Sequence, residues 1–182
     1  NNIEEAAKPC MIEVKGYKIA FLSWSSTVPK GFQALSDRAG VASVRIKHSY
    51  EIDSNIADEQ PGTPPWVHTE PMEEDLQHLE KVIKYVQEDA DFIILAIHWG
   101  IPPQWSCVYQ GPIAEYQVVI AERVARAGVD LVLGHHAHAP YGIETFHSED
   151  PGKQVPVLYS LGNFIFHHEY LPGGFEISEG TL

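Results

Sequence analysis

The chain has 182 residues, 44% hydrophobic and 20% charged, which excludes disordered and fibrous classes and gives length enough for one domain around a sizeable core. Twelve Lys and Arg stand against 25 Asp and Glu, a formal net charge of -13, and the basic residues are scattered, so the electrostatic footprint of a nucleic-acid binder is missing. Cys10 and Cys107 lie far apart and outside any CxxC context, which argues for neither a disulfide scaffold nor a thiolate metal site.

The chain opens at Asn1 without an initiator Met or a charged and apolar leader, as a processed chain or a piece of a longer one would. Met11 to Val14 and Tyr17 to Trp24 are apolar, β-branched runs joined at Lys15-Gly16, a hairpin signature. From Ser25 to Pro71 periodicity fades. Pro61, Pro64, Pro65 and Pro71 with Gly62 break up the stretch, which reads as an irregular excursion over about 25–71 with one short strand or turn near Val41 to Ile46. Leu76, Leu79, Ile83 and Val86 then recur at helical spacing behind Glu73, Glu74 and Asp75, acids placed where the helix dipole favours them, so an amphipathic helix is expected over about 72–89.

Phe92 to Ile97 is an unbroken apolar run, as in a strand covered on both faces, and it ends in His98-Trp99-Gly100. A Pro- and aromatic-rich loop follows. Pro112 suits a first helical turn, Ile113, Tyr116, Ile120 and Val124 share a face, and Gly128 stops the helix, giving a second helix over about 112–127. Asp130 to Leu133 is a further buried strand, running into Gly134-His135-His136-Ala137-His138. A strand-helix-strand unit makes a parallel crossover, so both histidine motifs leave the C-terminal edge of one sheet. Ile143 to Phe146 and Val155 to Ser160 read as a closing antiparallel pair. No apolar run approaches the roughly 18 to 20 residues of a membrane span, and the stretch reads as soluble.

The chemistry concentrates at those strand ends, where open α/β sheets place their ligands. In His136-Ala137-His138 an extended backbone sends alternate side chains the same way, so two imidazoles can serve one metal centre or a close pair, with Zn, Mn or Fe suited to neutral imidazole. A solvated His-rich turn is the bland alternative, weakened by His98 at a second strand end. His98 alone would read as a hydrogen-bonded core histidine; beside the other motif it reads as a ligand. His135 is either a ligand or a group that orients one. His167 and His168 are adjacent and on a strand point to opposite faces, so at most one would join a given site. His48, His68, His78 and His147 read as surface residues. Trp99, Trp105 and Tyr109 crowd the loop after His98, either as a stacking platform for substrate or simply packing the loop down. Cys107 in the same loop reads as a structural thiol.

Three motifs in order, IHWG from Ile97 to Gly100, GVDLVLGHHAH from Gly128 to His138 and YSLGNFIF from Tyr159 to Phe166, resemble the CapA family of capsule and poly-γ-glutamate biosynthesis proteins, within the calcineurin-like metallophosphatase superfamily. NIEEAAKP from Asn2 to Pro9 and VKGYKIAF from Val14 to Phe21 also look like the family, so the resemblance covers nearly the whole chain and is weakest from about Ser25 to Glu70. It implies that residues 1–182 form the C-terminal portion of a metallophosphatase-like α/β domain, a two-sheet sandwich flanked by helices with a two-metal site at the strand ends. Carried over by position, His98 and His136 would ligate one divalent metal and His138 the other, with His135 and Asn163 in catalytic or supporting places; Mn, Zn or Fe are the expected ions.

The resemblance makes phosphoester hydrolysis by metal-activated water the expected reaction, with an anionic polymer such as poly-γ-glutamate as the other candidate substrate. A chain of net charge -13 would repel such a polymer unless divalent cations bridge the two. A non-catalytic binding or assembly component for the polymer, and a metal-dependent glycan or peptide hydrolase, are the alternatives. Extracytoplasmic or cell-envelope localisation and membrane-associated biosynthetic partners are further implications. There are departures too. The superfamily takes its first metal-binding aspartate, bridging carboxylate and Asn-His motif from an N-terminal half, and these 182 residues are expected to begin just after it, so full two-metal catalysis is expected to need that half. Ile101-Pro102-Pro103-Gln104 stands where an acid is expected after IHWG, and His167-His168 follow Phe166 where Asp is commoner.

Overall fold

The computed structural model describes residues 2–103, 105 and 111–164. A one-turn helix α1 (Ile3–Ala6) leads into the hairpin of β1 (Cys10–Val14) and β2 (Tyr17–Ser25), whose turn has Lys15 at φ 54° and Gly16 at φ 84°. Two successive positive φ values are what a two-residue hairpin turn requires. The remaining elements are β3 (Ile46–Glu51), α2 (Ser54–Glu59), β4 (Trp66–Pro71), α3 (Glu73–Val86), β5 (Phe92–His98), α4 (Glu115–Ala127), β6 (Leu131–His135), β7 (Ile143–His147) and β8 (Gln154–Leu158). Both α3 and α4 lie within the spans expected from apolar periodicity. α4 starts at Glu115 rather than at Pro112, and it ends at Gly128, whose φ of 115° is the left-handed conformation glycine adopts without a Cβ penalty.

Six strands form one sheet in the order β1-β2-β5-β6-β8-β7. β2, β5, β6 and β8 run parallel, and the edge strands β1 and β7 are antiparallel to their neighbours. Register aligns the buried positions across the sheet: Leu22 faces Leu95, Leu95 faces Val132, and Val132 faces Val157. These side chains form one core with Leu76, Leu79 and Ile83 of α3 and Ile120 and Val124 of α4. Each such Leu, Ile or Val contributes roughly 1.5–3 kcal/mol by leaving water. α3 also packs on α4, where Arg123 spans the two helices to reach Glu73 and Glu80.

Two expectations need correction. β5 is buried on one face only; Ile94 and Ala96 on the other face are partly exposed, and Phe92 is exposed, because the helices that supply the core face the alternate positions. The excursion over 25–71 is also more ordered than its prolines suggest. β3 and β4 pair antiparallel from Ile46–Pro71 to Glu51–Trp66 as a separate two-stranded sheet, and Ala42 and Val44 are buried in the main core. Both strands are largely solvent-exposed, so they lack the alternating apolar pattern that reveals a strand. The architecture is thus mixed α/β, a six-stranded and a two-stranded sheet flanked by helices. Among the described residues no helix is long and apolar enough to cross a membrane.

Candidate functional site

The parallel register of β5 and β6 puts His98 directly beside His135 at the ends of both strands. The ladder continues on both sides: Ser26 N donates to His98 O at 2.9 Å, and Trp99 N donates to His135 O at 3.1 Å. The imidazoles of His98 and His136 are in contact, with ring centroids 4.5 Å apart and planes tilted by 57°. The intervening backbone is not extended, contrary to the expectation for a His-Ala-His run. His136 has φ 106° and His138 φ 59°, values that cost a non-glycine residue roughly 1–3 kcal/mol and that cluster at functional sites. The turn sets His136 against His98 and keeps His138 close enough to act electrostatically on both rings.

His138 is met by the segment after β8. Leu161 N donates to Gly134 O at 3.0 Å and Leu161 bridges to Pro140, which lays residues 159–163 alongside the histidine turn. Nδ1 of His138 then lies 2.8 Å from Asn163 Oδ1. Asn163 Nδ2 is buried with no hydrogen-bond partner among the described residues.

Partial burial lowers the pKa of His98, His135 and His136 below the usual histidine value; for His98 the neighbouring His135 and His138 add to the effect, and for His136 the neighbouring His98 and His138 do so. Desolvation and like charge both disfavour imidazolium, so these rings are held neutral at pH 7, the form that ligates a cation. The donor set is therefore chemically suited to a divalent transition metal, but partial. Among the described residues no group of three or more His, Cys, Asp or Glu side chains is arranged to hold a metal ion.

The aromatic residues after β5 separate. Trp99 is fully buried, stacks on Tyr159 with centroids 5.8 Å apart, and its Nε1 donates to Tyr159 O at 2.9 Å. It takes the packing role rather than that of a substrate platform, since a fully buried ring offers no face to a ligand. Trp105 is 83% exposed. Tyr109, Gln104, Cys107, His167 and His168 lie outside the described residues.

Two further groups that tie elements together carry no signal in the sequence. Tyr116, legible only as an apolar helix position, is buried, and its hydroxyl accepts from Gly100 N at 2.6 Å and from Ser26 Oγ at 3.2 Å, tying α4 to the turn two residues past His98. His68, expected as a plain surface residue, bridges Glu51 at 3.0 Å and Glu115 at 3.3 Å, linking the two-stranded sheet to the start of α4.

Known proteins match this chain along much of its length. A probable polyglutamine synthesis accessory protein of Mycobacterium tuberculosis (strain ATCC 25618 / H37Rv) is 28% identical over 163 residues, 87% of this chain and 32% of that protein. The capsule biosynthesis protein CapA of Bacillus anthracis is 29% identical over 91 residues, 50% of this chain and 19% of that protein. The PGA biosynthesis protein CapA of Bacillus subtilis (strain 168) is 29% identical over 85 residues, 47% of this chain and 19% of its own length. The chain thus spans between 19% and 32% of the length of these relatives. A family model described as "Bacterial capsule synthesis protein PGA_cap" matches residues 1–168, so the chain belongs to that family of bacterial capsule synthesis proteins.

Proposed function

We propose that this chain carries part of the metal site of a CapA-type, metallophosphatase-like hydrolase serving capsule or poly-γ-glutamate production outside the cytoplasm or at the cell envelope. The observation that supports it most is the contact of His98 and His136, two neutral imidazoles with centroids 4.5 Å apart at adjacent strand ends. His98 and His136 would hold one divalent ion, Mn, Zn or Fe, and His138 a second, with Asn163 orienting the His138 ring and His135 completing or orienting the set. The remaining donors come from residues beyond these. Such ions, when bound, supply Lewis-acid neutralisation of charge at phosphorus and lower the pKa of a water. The chain's own part is to keep the imidazoles of His98, His135 and His136 neutral, to set His136 against His98 with a strained turn, and to hold the strand ends in register.

A second reading, a non-catalytic component that binds an anionic polymer through metal, is favoured by two exposed aromatic side chains, Trp105 and Phe164, which are 83% and 74% accessible. One experiment addresses both. Bound metal per chain is measured by elemental mass spectrometry on protein purified without a His tag, beside a His136→Ala/His138→Ala double variant. Near-stoichiometric Zn, Mn or Fe that disappears in the variant is the expected result. No metal in the wild type after reconstitution refutes metal binding by these 182 residues alone, and the same measurement on a longer chain that supplies the remaining donors then decides both readings. Turnover of a chromogenic phosphate ester then favours the hydrolase, and poly-γ-glutamate binding without turnover favours the binding component.

A further inference from the structure

Gly134 is a glycine with an ordinary backbone conformation, so its lack of a side chain has a steric cause. A Cβ built there would lie 2.1 Å from Tyr159 O and 2.5 Å from Trp99 Nε1. Those are the two atoms joined by the Trp99 Nε1 to Tyr159 O hydrogen bond, at 2.9 Å. The bond therefore runs through the volume that any other residue at position 134 would fill. Gly134 sits on β6 opposite Ile97 of β5, one residue before His135 and two before His136. Trp99 follows His98 directly, and Tyr159 lies four residues before Asn163. A single indole thus crosses from the end of β5, over β6, to the chain leaving β8.

We propose that Trp99 is a positioning residue for the histidine cluster: its indole, seated in the gap left by Gly134, ties the three strand ends and so sets where His98 and His136 stand relative to His138 and Asn163. Two further contacts stiffen the tie. Tyr159 stacks on the indole at an interplanar angle of 21° and anchors its own hydroxyl on Glu144 Oε2 at 2.8 Å. Leu161 N reaches back to the carbonyl of Gly134 at 3.0 Å. A shift at any of these strand ends moves one pair of site groups against the other, because each strand delivers a different member: β5 His98, β6 His135 and His136, and the segment after β8 Asn163. The metal arm of the test below rests on the proposed function; the ring contacts do not.

The test uses Trp99→Phe, which keeps an aromatic ring and removes the N–H donor, and Gly134→Ala, which fills the gap. Trp24→Phe is the control, since Trp24 is equally a core indole but its Nε1 has no hydrogen-bond partner among the described residues. In metal-free full chain labelled at histidine and asparagine, NMR reads the cross-peak between the His98 and His136 rings and the contact of the His138 ring with the Asn163 side chain. Zn2+ affinity is read by competition with a chelating dye. Trp99→Phe and Gly134→Ala are expected to weaken or abolish both NMR signatures and to reduce Zn2+ affinity roughly tenfold or more, the scale of lost outer-layer support at metal sites. Trp24→Phe keeps the signatures and stays within about twofold of wild-type affinity. Should Gly134→Ala fail to fold, benzothienylalanine at position 99, which keeps the shape and replaces N–H by sulfur, tests the same hydrogen bond with the same expected losses. Wild-type signatures and affinity in Trp99→Phe overturn the proposal. A wild type that binds no Zn2+ removes the metal reading alone, and the ring signatures still decide the role of Trp99.

Discussion

Replacing Tyr116 by Phe removes one oxygen and little else. That oxygen accepts from Gly100 N at 2.6 Å, and Gly100 is buried with φ 88°, in a backbone conformation that leaves its N–H pointed at α4. In Tyr116→Phe the N–H keeps its burial and loses its partner, which costs about 1–3 kcal/mol, the penalty for an orphaned buried donor. Ser26 Oγ, which donates to the same hydroxyl at 3.2 Å, is partly exposed and can turn to water, so it adds little. The expected total is about 2 kcal/mol. In urea this moves the midpoint by roughly 1 M with an unchanged slope, and in a thermal melt it lowers Tm by roughly 4–8 °C. Ser26→Ala, which removes a donor but orphans no buried group, should cost less than half as much. A Tyr116→Phe midpoint within about 0.5 kcal/mol of wild type would mean that Gly100 N–H finds another acceptor and that Tyr116 does not hold the turn after His98.

Two more outcomes follow from particular residues. His68 has its pKa raised, first by its hydrogen bond to Glu51 and then by that to Glu115, so its contribution to stability is fully present below the ordinary histidine pKa and is lost as pH rises through the raised value. The difference in Tm between wild type and His68→Gln should therefore be larger at pH 5.5 than at pH 9; equal differences would show that the bridge does not depend on charge. His136→Gly should relieve the strain of a φ of 106° and raise the stability of the metal-free chain by about 1 kcal/mol while weakening Zn2+ binding, a trade of stability against function. A destabilised variant in urea would show that the His98 contact outweighs the backbone strain.

The hairpin at Lys15-Gly16, both long helices and the strands beginning at Phe92 and Leu131 were legible because each has a local cause: a turn that needs positive φ, or an apolar period that matches a helix or a strand. The three family motifs were legible for a different reason, their order and composition. β3 and β4 were not, since strands with most side chains in water carry no apolar alternation, and Pro71 ends β4 without preventing it. The extended reading of His136-Ala137-His138 failed because a local rule for strands was applied to a turn that positive φ values bend.

Sequence by itself determined where the two long helices and the strands of the main sheet lie, that the histidines stand at strand ends, and which family the motifs resemble, because periodicity, turn chemistry and motif spacing act over a few residues. Tertiary structure alone decided that His136 meets His98 while His138 meets Asn163, that Trp99 is buried, and that Tyr116 and His68 tie distant elements together. Those pairings join residues from 16 to 90 positions apart, through strand order and register that no local pattern encodes.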